Sequence, residues 1–395
     1  MSCRTPEASE RLSFAQREAT RSPVGVLCST QLSFCIDDSF YEEVEMKICR
    51  AIDVGYGNTK YTINDGTHGG DIECRMFPSL APQAPTSTMD SFLEKKNTVV
   101  VEAGEGNLYE VGPDSLLGMD SYSSRILDLD FARTDTYLAL ARGALTFMDV
   151  ECVDFLVVGL PVSSMDAMAG LVKTRLQGVH PIRHNSVLVK EVLVVPQPVG
   201  GMYDFGVRNR LMREIESGTS LLIDPGYFTL DWVVTKGTKM VGARSGAANN
   251  AGMAAILRSV LDQLAVKVKN RDSRVIEVSE SVLDRLDDAI RTGEEFRIFG
   301  RVENLDEYLS SPSPVVVSAL NRMRTRVGSL DDIDRVIIVG GGAHMYEQAV
   351  LKLLPGFDIR ISKNQVYSNV RGFQMLANIA AQKAALAAAC TTTGT

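Results

Sequence analysis

Length, composition and charge place this chain among ordinary globular proteins and exclude several classes of function. The chain has 395 residues, of which 45% are hydrophobic and 23% are charged, and its formal net charge at pH 7 is -8. The length predicts two or three domains. The acidic charge argues against broad nonspecific DNA binding through a basic surface, although not against a DNA-bound adaptor as partner.

The cysteines and the hydropathy pattern indicate the compartment. The seven cysteines are scattered and show no CxxC spacing, which supports neither a disulfide framework nor a zinc site. No apolar run approaches the roughly 18 residues that a membrane helix needs. We therefore expect a cytoplasmic protein that makes no direct contact with a membrane.

The segment up to Met46 differs from the rest of the chain. It is rich in Ser, Thr, Arg and Glu with little periodicity, and the first predicted strand starts directly after Met46. We predict that Met46 is the true start of the protein and that residues 1–46 are either disordered or not translated. A peptide from residues 1–45 in mass spectrometry of the native protein would contradict this prediction.

The pattern from residue 47 to residue 198 predicts a first α/β domain. Apolar runs predict strands, proline clusters predict loops, and apolar residues at helical spacing predict helices. In chain order we predict strands at 47–52 and 61–63, a turn at 64–66, a loop at 77–88, a hairpin at 99–111, a helix at 134–148, a buried strand at 154–161, a further helix, and a strand at 187–195 that leads into a Pro-Gln-Pro turn.

The pattern from residue 199 to residue 369 predicts a second domain that repeats the first. We predict a helix at 206–216, a strand that ends at Asp224, a hairpin at 230–241, helices within 252–327, and a strand at 335–339 that runs into three glycines. Strand, hairpin, helix, strand and helix thus occur twice in the same order. We expect two like domains with a cleft between them, and a C-terminal helix at 370–390 that packs back on the first domain.

The first glycine-bearing strand end reads DVGYGNTK at residues 53–60. Its glycines permit close approach of the backbone, and its amides can point at phosphate oxygens. Lys60 could reach a β- or γ-phosphate as a point charge. A simple hairpin with a surface lysine is the alternative explanation. The candidate nucleotide-binding residues here are Asp53, Gly55, Gly57, Asn58, Thr59 and Lys60.

A second strand end repeats the pattern and reads DPGYFTLD at residues 224–231. Asp224 could hold Mg²⁺ through water, because Mg²⁺ prefers one or two carboxylates together with phosphate oxygens. Gly226 would let a nucleotide approach the backbone, and Thr229 could donate to a phosphate. A hairpin with a turn-capping Asp is the alternative, and the presence of two copies favours a nucleotide site.

Two further features stand at strand ends. Gly340, Gly341 and Gly342 would allow a flat nucleoside to lie against bare backbone, or would simply make a tight strand-to-helix turn. Gln197 stands between two prolines, and a glutamine can orient an attacking water although it is not a strong base. A loop glutamine held by its neighbouring prolines is the alternative.

These motifs, in this order, resemble the actin/Hsp70/sugar-kinase superfamily over residues 48–389. Residues 53–60 are similar to its phosphate-1 loop, residues 224–231 to its phosphate-2 loop, and residues 336–343 to its adenosine motif. The segment VPQP at 195–198 and the compact size resemble bacterial plasmid-segregation ATPases of the ParM/StbA type. The resemblance implies an α/β fold with two actin/Hsp70-like (ribonuclease H-like) domains that flank a nucleotide cleft.

The resemblance also implies roles for individual residues. Asp53 and Asp224 would bind Mg²⁺ through its waters, and Gln197 and Asp224 would be catalytic, with Gln197 placing the hydrolytic water. The three glycines at 340–342 would line the nucleoside. Two positions depart from the family pattern: Pro225 follows the phosphate-2 Asp, and Gln197 stands where ParM proteins often have Glu. Neither departure removes a needed group.

The implied function is an ATPase that binds Mg-ATP, with GTP as a second candidate nucleotide, and polymerises into dynamic filaments. By the same resemblance it would segregate plasmid DNA through a centromere-binding adaptor protein. Two alternatives share the fold. One is a small-molecule kinase, which needs a carboxylate base such as Asp204 or Asp166, and the other is a bacterial actin-like cytoskeletal protein without a role in segregation.

Overall fold

The structure is a computed structural model, and it describes residues 47–67, 70–84, 96–119, 124–182 and 185–392. The predictions for residues 1–46, and for the end of the loop at 77–88, lie outside these residues. No helix within the described ranges is long and apolar enough to cross a membrane.

A six-stranded sheet organises the first half of the described chain. The strands of this half are β1 (Cys49–Val54), β2 (Asn58–Thr62), β3 (Cys74–Pro78), β4 (Val99–Ala103), β5 (Asn107–Val111), β6 (Cys152–Leu160), β7 (Gly178–Ile182) and β8 (Asn185–Pro196). The sheet has the order β3-β2-β1-β6-β8-β7, in which β1, β6 and β8 are parallel. β4 and β5 form the hairpin that the sequence predicts at 99–111.

A second sheet organises the other half. The strands of this half are β9 (Thr219–Pro225), β10 (Thr229–Lys236), β11 (Lys239–Met240), β12 (Gly246–Asn249), β13 (Phe296–Ile298), β14 (Arg301–Glu303), β15 (Arg335–Ile338) and β16 (Ile359–Ile361). The sheet has the order β11-β10-β9-β15-β16, and β12 adds to β10. β13 and β14 pair with each other as a separate hairpin.

The two sheets share one topology. In each, a central strand continues into antiparallel strands on one side, and two later strands, β6 and β8 or β15 and β16, join in parallel on the other side. The first sheet has β7 in addition, which pairs antiparallel with β8. This confirms the prediction that the strand and hairpin pattern occurs twice. Asp53 and Asp224 each stand one residue before the end of the central strand of their sheet. The same topology therefore presents both aspartates at equivalent strand ends.

Helices cover the sheets. They are α1 (Asp135–Met148), α2 (Met165–Leu176), α3 (Gln197–Arg208), α4 (Met212–Ser217), α5 (Met253–Asp272), α6 (Glu280–Thr292), α7 (Asp306–Leu309), α8 (Pro314–Val327), α9 (Ala343–Leu353) and α10 (Ser368–Thr392). α1 matches the helix predicted at 134–148, and Thr134 caps it because its hydroxyl accepts a hydrogen bond of 3.2 Å from the amide of Tyr137.

Two large hydrophobic cores lie on the two sheets. One joins the first sheet to α1 and α2, and the other joins the second sheet to α5, α6, α8 and α9. Phe228 links the two halves of the chain, because it follows β9 of the second sheet but packs in the first core. The centroids of its ring and the Tyr56 ring are 4.9 Å apart. On the first sheet, α10 packs through Val370 and Phe373.

Glycines let α3 and α10 cross in direct contact. A Cβ atom on Gly372 would lie 1.8 Å from the carbonyl oxygen of Gly200, and a Cβ atom on Gly200 would lie 2.4 Å from that of Asn369. Any side chain at these positions would push the helices apart. The crossing brings Gln197, at the start of α3, and Asn369, in the first turn of α10, to one cleft.

The prediction of a Pro-Gln-Pro turn is wrong. Gln197 begins α3, and Pro198 is compatible with the first helical turn because the amides there have no acceptor within the helix. The predicted helix at 206–216 is also wrong. α3 ends and α4 begins within that range, and between them Arg210 adopts a left-handed conformation with φ 58°.

Two other predictions failed where short strands form. Phe77 belongs to β3 rather than to a loop, because its side chain is buried in the first core. The helices predicted within 252–327 do not account for the β13–β14 hairpin, which lies in the same range. Gly300, with φ 81°, lies in the turn of that hairpin.

Candidate functional site

The three glycine-bearing strand ends meet in one cleft between the two sheets. The space between the atoms that line the cleft is about 840 Å³, a value that includes the part open to solvent. Every predicted site residue except Thr59 lines it. These residues are Asp53, Gly55, Gly57, Asn58, Lys60, Gln197, Asp224, Gly226, Thr229, Gly340, Gly341 and Gly342.

The first loop is a tight turn between β1 and β2. Asp53 lies opposite Lys60 in the hairpin, and Lys60 Nζ is 3.1 Å from Asp53 Oδ2. The carbonyl of Gly55 accepts a hydrogen bond of 2.5 Å from the Ser79 hydroxyl, and the carbonyl of Gly57 accepts one of 2.9 Å from the Ser79 amide. Ser79 therefore holds the shape of the loop from behind.

Thr59 does not reach the cleft, although the sequence places it among the nucleotide-binding candidates. Its side chain is fully buried, and its hydroxyl shares a hydrogen bond of 3.0 Å with the Ser79 hydroxyl. The reason is strand alternation, because Asn58 and Lys60 face one side of β2 and Thr59 faces the other. Thr59 supports the loop rather than a ligand.

The second loop repeats this geometry between β9 and β10. The Gly226 amide donates a hydrogen bond of 2.9 Å to the Thr229 carbonyl, which closes the turn, and Asp224 lies opposite Asp231. The Thr229 hydroxyl donates to Asp231 Oδ2 at 2.5 Å. Its proton is therefore engaged by the neighbouring carboxylate rather than directed at a phosphate position.

The two loops touch each other directly. A Cβ atom on Gly57 would lie 2.7 Å from the ring of Tyr227, and a Cβ atom on Gly252 would lie 2.5 Å from the Tyr227 carbonyl. A side chain at Gly57 would separate the two halves of the cleft. The absence of a side chain at Gly57 thus permits the loops to face each other across a narrow gap.

The triple glycine closes the cleft beside Asp224. Gly340 has φ 77°, and a Cβ atom there would lie 1.8 Å from Asp224 Oδ1, so both the backbone and the contact require glycine. The Gly342 amide donates a hydrogen bond of 2.9 Å to the Pro225 carbonyl. A Cβ atom on Gly341 would have no neighbour within 4 Å in the described structure, and this position offers room for a ligand.

Three buried carboxylates, those of Asp53, Asp224 and Asp231, line the cleft. Gln197 Nε2 donates a hydrogen bond of 2.7 Å to Asp53 Oδ1, and Asn369 Nδ2 donates one of 2.7 Å to Asp224 Oδ2. Burial, together with the neighbouring carboxylates of Asp231 and Asp53, raises the pKa of Asp224 to about 7. Burial also raises the pKa of Asp231 to about 6. Such a cluster gains stability from a cation.

The donor set fits Mg²⁺ held through water. No group of three His, Cys, Asp or Glu side chains in the described part of the chain is placed to ligate a metal directly. Asn369 Oδ1 is buried beside Asp224 and has no hydrogen-bond partner among the described residues, so it could accept from a metal-bound water. Mg²⁺ keeps several waters in such sites. The arrangement therefore agrees with binding to Asp53 and Asp224 through water.

Sequence reasoning missed several lining residues. Asp287 and Arg291 on α6, and His344 on α9, line the cleft together with the triple glycine. Burial raises the pKa of Asp287 to about 6 and lowers the pKa of His344. The four-residue spacing of Asp287 and Arg291 marks one helix face, which is a weak signal. The sequence gives no signal for Asn369, because this residue lies 145 positions from Asp224, the carboxylate that it contacts.

Neither carboxylate considered for the kinase alternative lines the cleft. Asp204 is fully buried, and its two oxygens accept hydrogen bonds of 2.7 and 2.6 Å from the guanidinium of Arg371. This ion pair ties α3 to α10. Asp166 is exposed on α2. The structure therefore provides no support for either residue as a base that faces a substrate in the cleft.

Comparison with known proteins agrees with this architecture. Residues 51–200 match the family model described as the N-terminal domain of actin-like proteins. Ta0583, an archaeal actin homolog, is 19% identical and has a TM-score of 0.62, with 84% of this chain and 99% of that chain covered. A ParM filament structure from Clostridium botulinum is 20% identical and has a TM-score of 0.62, with the same coverage. The actin-like protein Alp7A is 12% identical and has a TM-score of 0.64, with 88% and 100% covered.

The chain therefore has the actin-like fold, with a cleft between two sheets of one topology. This confirms the predicted α/β fold class. ParM proteins are among the solved structures that share this fold, so the predicted resemblance is confirmed at the level of the fold. No curated protein sequence shows significant similarity to the chain.

Proposed function

We propose that this chain is an ATPase that binds Mg-ATP in the cleft between its two sheets. The observation that carries the proposal is the convergence of the two hairpin loops in one cleft. There Gln197 of α3 contacts Asp53, and Asn369 of α10 contacts Asp224. The archaeal actin homolog Ta0583 has been solved in complex with ADP, which supports a nucleotide as the ligand of this fold. GTP is the second candidate nucleotide.

The phosphates would lie between the two loops. Gly55, Gly57, Asn58 and Gly226 line the gap and let a phosphate approach the backbone. Lys60 would supply positive charge, and its ammonium is already held 3.1 Å from Asp53 at the edge of this gap. Mg²⁺, bound through water by Asp53 and Asp224, would neutralise phosphate charge.

The nucleoside would lie against the triple glycine. Gly341 leaves open space there, and Arg291 and His344 line the same region. The Arg291 guanidinium can stack on a base, and the Asp287 carboxylate can accept hydrogen bonds from a sugar hydroxyl or a base N–H. Because a carboxylate can accept from either purine, these residues suit ATP and GTP alike.

Gln197 would position the water that attacks the terminal phosphate. Its Nε2 donates to Asp53, so its Oε1 is left as an acceptor for water within the cleft. A glutamine is not a strong base, and it would act by orientation. The buried carboxylate of Asp224 would hold the hydrated metal beside that water, which is why we assign both residues a catalytic role.

We further propose that nucleotide binding drives assembly into filaments. Structures that share the fold include a ParM filament from Clostridium botulinum and an Alp12 filament. Nucleotide would close two domains, which we place at residues 47–198 and 199–369, with residues 370–390 as a helix that returns to the first. A head-to-tail contact that does not close into a ring continues as a filament.

Plasmid DNA segregation in the cytoplasm is the proposed use of such filaments. The net charge of -8 disfavours direct DNA binding, so a centromere-binding adaptor protein would connect the filament to the plasmid. Addition of Mg-ATP to the purified chain, with light scattering and phosphate release followed together, tests the proposal.

We expect a rise in light scattering that requires nucleotide and decays as phosphate appears. Filaments that persist after hydrolysis would favour a cytoskeletal protein that does not segregate DNA. Absence of a rise, with turnover only when a small acceptor is supplied, would favour the kinase alternative and contradict the proposal.

A further inference from the structure

A buried arginine joins the two sides of the cleft at a point outside the proposed phosphate site. The Arg125 side chain is only 2% exposed, and it forms ion pairs with Glu280 and with Asp284, the latter at 2.7 Å from Nη2 to Oδ1. The Arg125 amide also donates a hydrogen bond of 3.2 Å to Glu280 Oε1. Both carboxylates belong to α6, which packs on the second sheet.

The backbone of Arg125 belongs to the other side. The next residues, Ile126 and Leu127, pack against the first core, and the Asp128 carbonyl accepts a hydrogen bond of 3.0 Å from the Tyr56 hydroxyl. Tyr56 is part of the first loop. The segment at 125–128 therefore moves with the first sheet, whereas its buried partners move with the second.

The same guanidinium contacts both proposed phosphate loops. Arg125 Nε donates a hydrogen bond of 3.1 Å to the carbonyl of Gly57 in the first loop. The guanidinium also lies over the ring of Tyr227 in the second loop, 5.1 Å from its centroid. One side chain thus links both loops to α6. The planar guanidinium of Arg can reach these separate acceptors at once, whereas the compact ammonium of Lys cannot.

The partners of Arg125 share a helix face with residues of the cleft. Glu280, Asp284, Asp287 and Arg291 follow the spacing i, i+4, i+7 and i+11, which places them on one side of α6. Asp287 and Arg291 line the cleft itself. The ion pairs of Arg125 with the start of α6 therefore also fix the positions of Asp287 and Arg291 in the cleft.

We propose that Arg125 is a positioning residue that holds the cleft closed over a bound nucleotide by joining the first loop to α6. This inference rests on the proposed nucleotide-binding function. When the cleft opens, water can replace the lost partners of all three charged groups, so the contact can form and break repeatedly. When the cleft is closed, the buried pairs oppose the motion that would release the nucleotide.

Release of fluorescently labelled ADP tests this. The full-length protein is loaded with labelled ADP and Mg²⁺, and the dissociation rate constant is measured after addition of excess unlabelled ADP. We expect Arg125→Gln to release the nucleotide about tenfold faster than the wild type, in line with typical coupling between sites. Arg125→Lys should give an intermediate rate, because it keeps the charge and loses the fork.

Two further variants make the test specific. Arg133→Gln is the matched control, because Arg133 lies in the same region, is 54% exposed and pairs with the exposed Asp130. It should stay within about twofold of the wild type, since exposed pairs contribute little. Arg125→Gln combined with Glu280→Gln removes the more deeply buried of the two carboxylates that Arg125→Gln leaves unpaired, so it should fold more stably than Arg125→Gln and still release ADP quickly.

The outcomes separate this inference from the proposed function. A dissociation rate constant is measured on nucleotide already bound, so a smaller folded fraction does not imitate the expected change. Wild-type release rates in both the single and the double variant would overturn the inference and leave the proposed function intact. Failure of the wild type to bind labelled ADP, labelled ATP or labelled GTP in the presence of Mg²⁺ would overturn the proposed function and this inference with it.

Discussion

Replacement of Gly340 by alanine should destabilise the protein strongly, whereas the same replacement at Gly341 should not. Gly340 has φ 77°, and a Cβ atom there would lie 1.8 Å from Asp224 Oδ1. Gly341 is not in the left-handed region, and a Cβ atom there meets nothing within 4 Å in the described structure. The two adjacent positions therefore form a matched pair.

The magnitude follows from two costs. A left-handed φ costs an alanine about 1–2 kcal/mol. The Asp224 carboxylate must also rotate away and lose the hydrogen bond of 2.7 Å from Asn369, and a bond to a charged acceptor is worth about 1.5–3 kcal/mol. The sum is about 2.5–5 kcal/mol of unfolding free energy. Gly341→Ala should change it by less than about 1 kcal/mol in either direction.

Thermal unfolding without nucleotide measures the difference. With an unfolding entropy of about 2.1 cal/mol/K per residue over roughly 350 residues, the melting temperature of Gly340→Ala should fall by about 3–7 °C. Gly341→Ala should remain within about 1.5 °C of the wild type. Equal melting temperatures for the two variants would refute the argument from backbone conformation and close contact.

Three other predictions concern the cleft and its surroundings. Asp224→Ala should abolish nucleotide hydrolysis in a phosphate-release assay. Gln197→Ala should slow hydrolysis roughly 10- to 100-fold, while its nucleotide affinity in a binding assay stays nearly constant. Normal turnover in both variants would disprove these roles. Burial raises the pKa of Asp224 to about 7 from 3.8, so its ionisation opposes folding increasingly as pH rises between those values. Without nucleotide or metal, Asp224→Asn should therefore gain stability relative to the wild type across that range, by at most about 4 kcal/mol, and a pH-independent difference in urea unfolding would contradict this. Phe228→Ala should cost about 3–5 kcal/mol because the side chain is buried in the first core, whereas Phe299→Ala, at a side chain that is 48% exposed, should cost less than about 1 kcal/mol in the same unfolding assay.

Local sequence signals were sufficient for the elements that position the site. Apolar runs that end in Asp-x-Gly predict a buried strand followed by a tight turn, and β1 and β9 have that form. The helix at 134–148 and the hairpin at 99–111 also follow from neighbouring residues alone. In each case the determining contacts lie within a few positions in the chain, so periodicity and turn chemistry report them.

Predictions failed where a local pattern has two structural solutions. Proline on both sides of Gln197 is compatible with a turn and with the first turn of a helix, and packing of α3 against α10 selects the helix. Thr59 lies in a phosphate-loop pattern, but its neighbours Asn58 and Lys60 face the cleft and it therefore faces Ser79. Strand alternation could have indicated this before the structure was known.

The amino-acid sequence by itself determined the two aspartate loops, the triple glycine and the repeated order of strands, because each depends on residues close together in the chain. Only the tertiary structure decided that Asn369 contacts Asp224 across 145 positions and that Arg125 reaches Glu280 across 155. Those contacts arise from how α10 crosses α3 and how α6 packs beside the first loop. Packing of distant segments is set by the shapes of whole helices and sheets, and no spacing in the sequence records it.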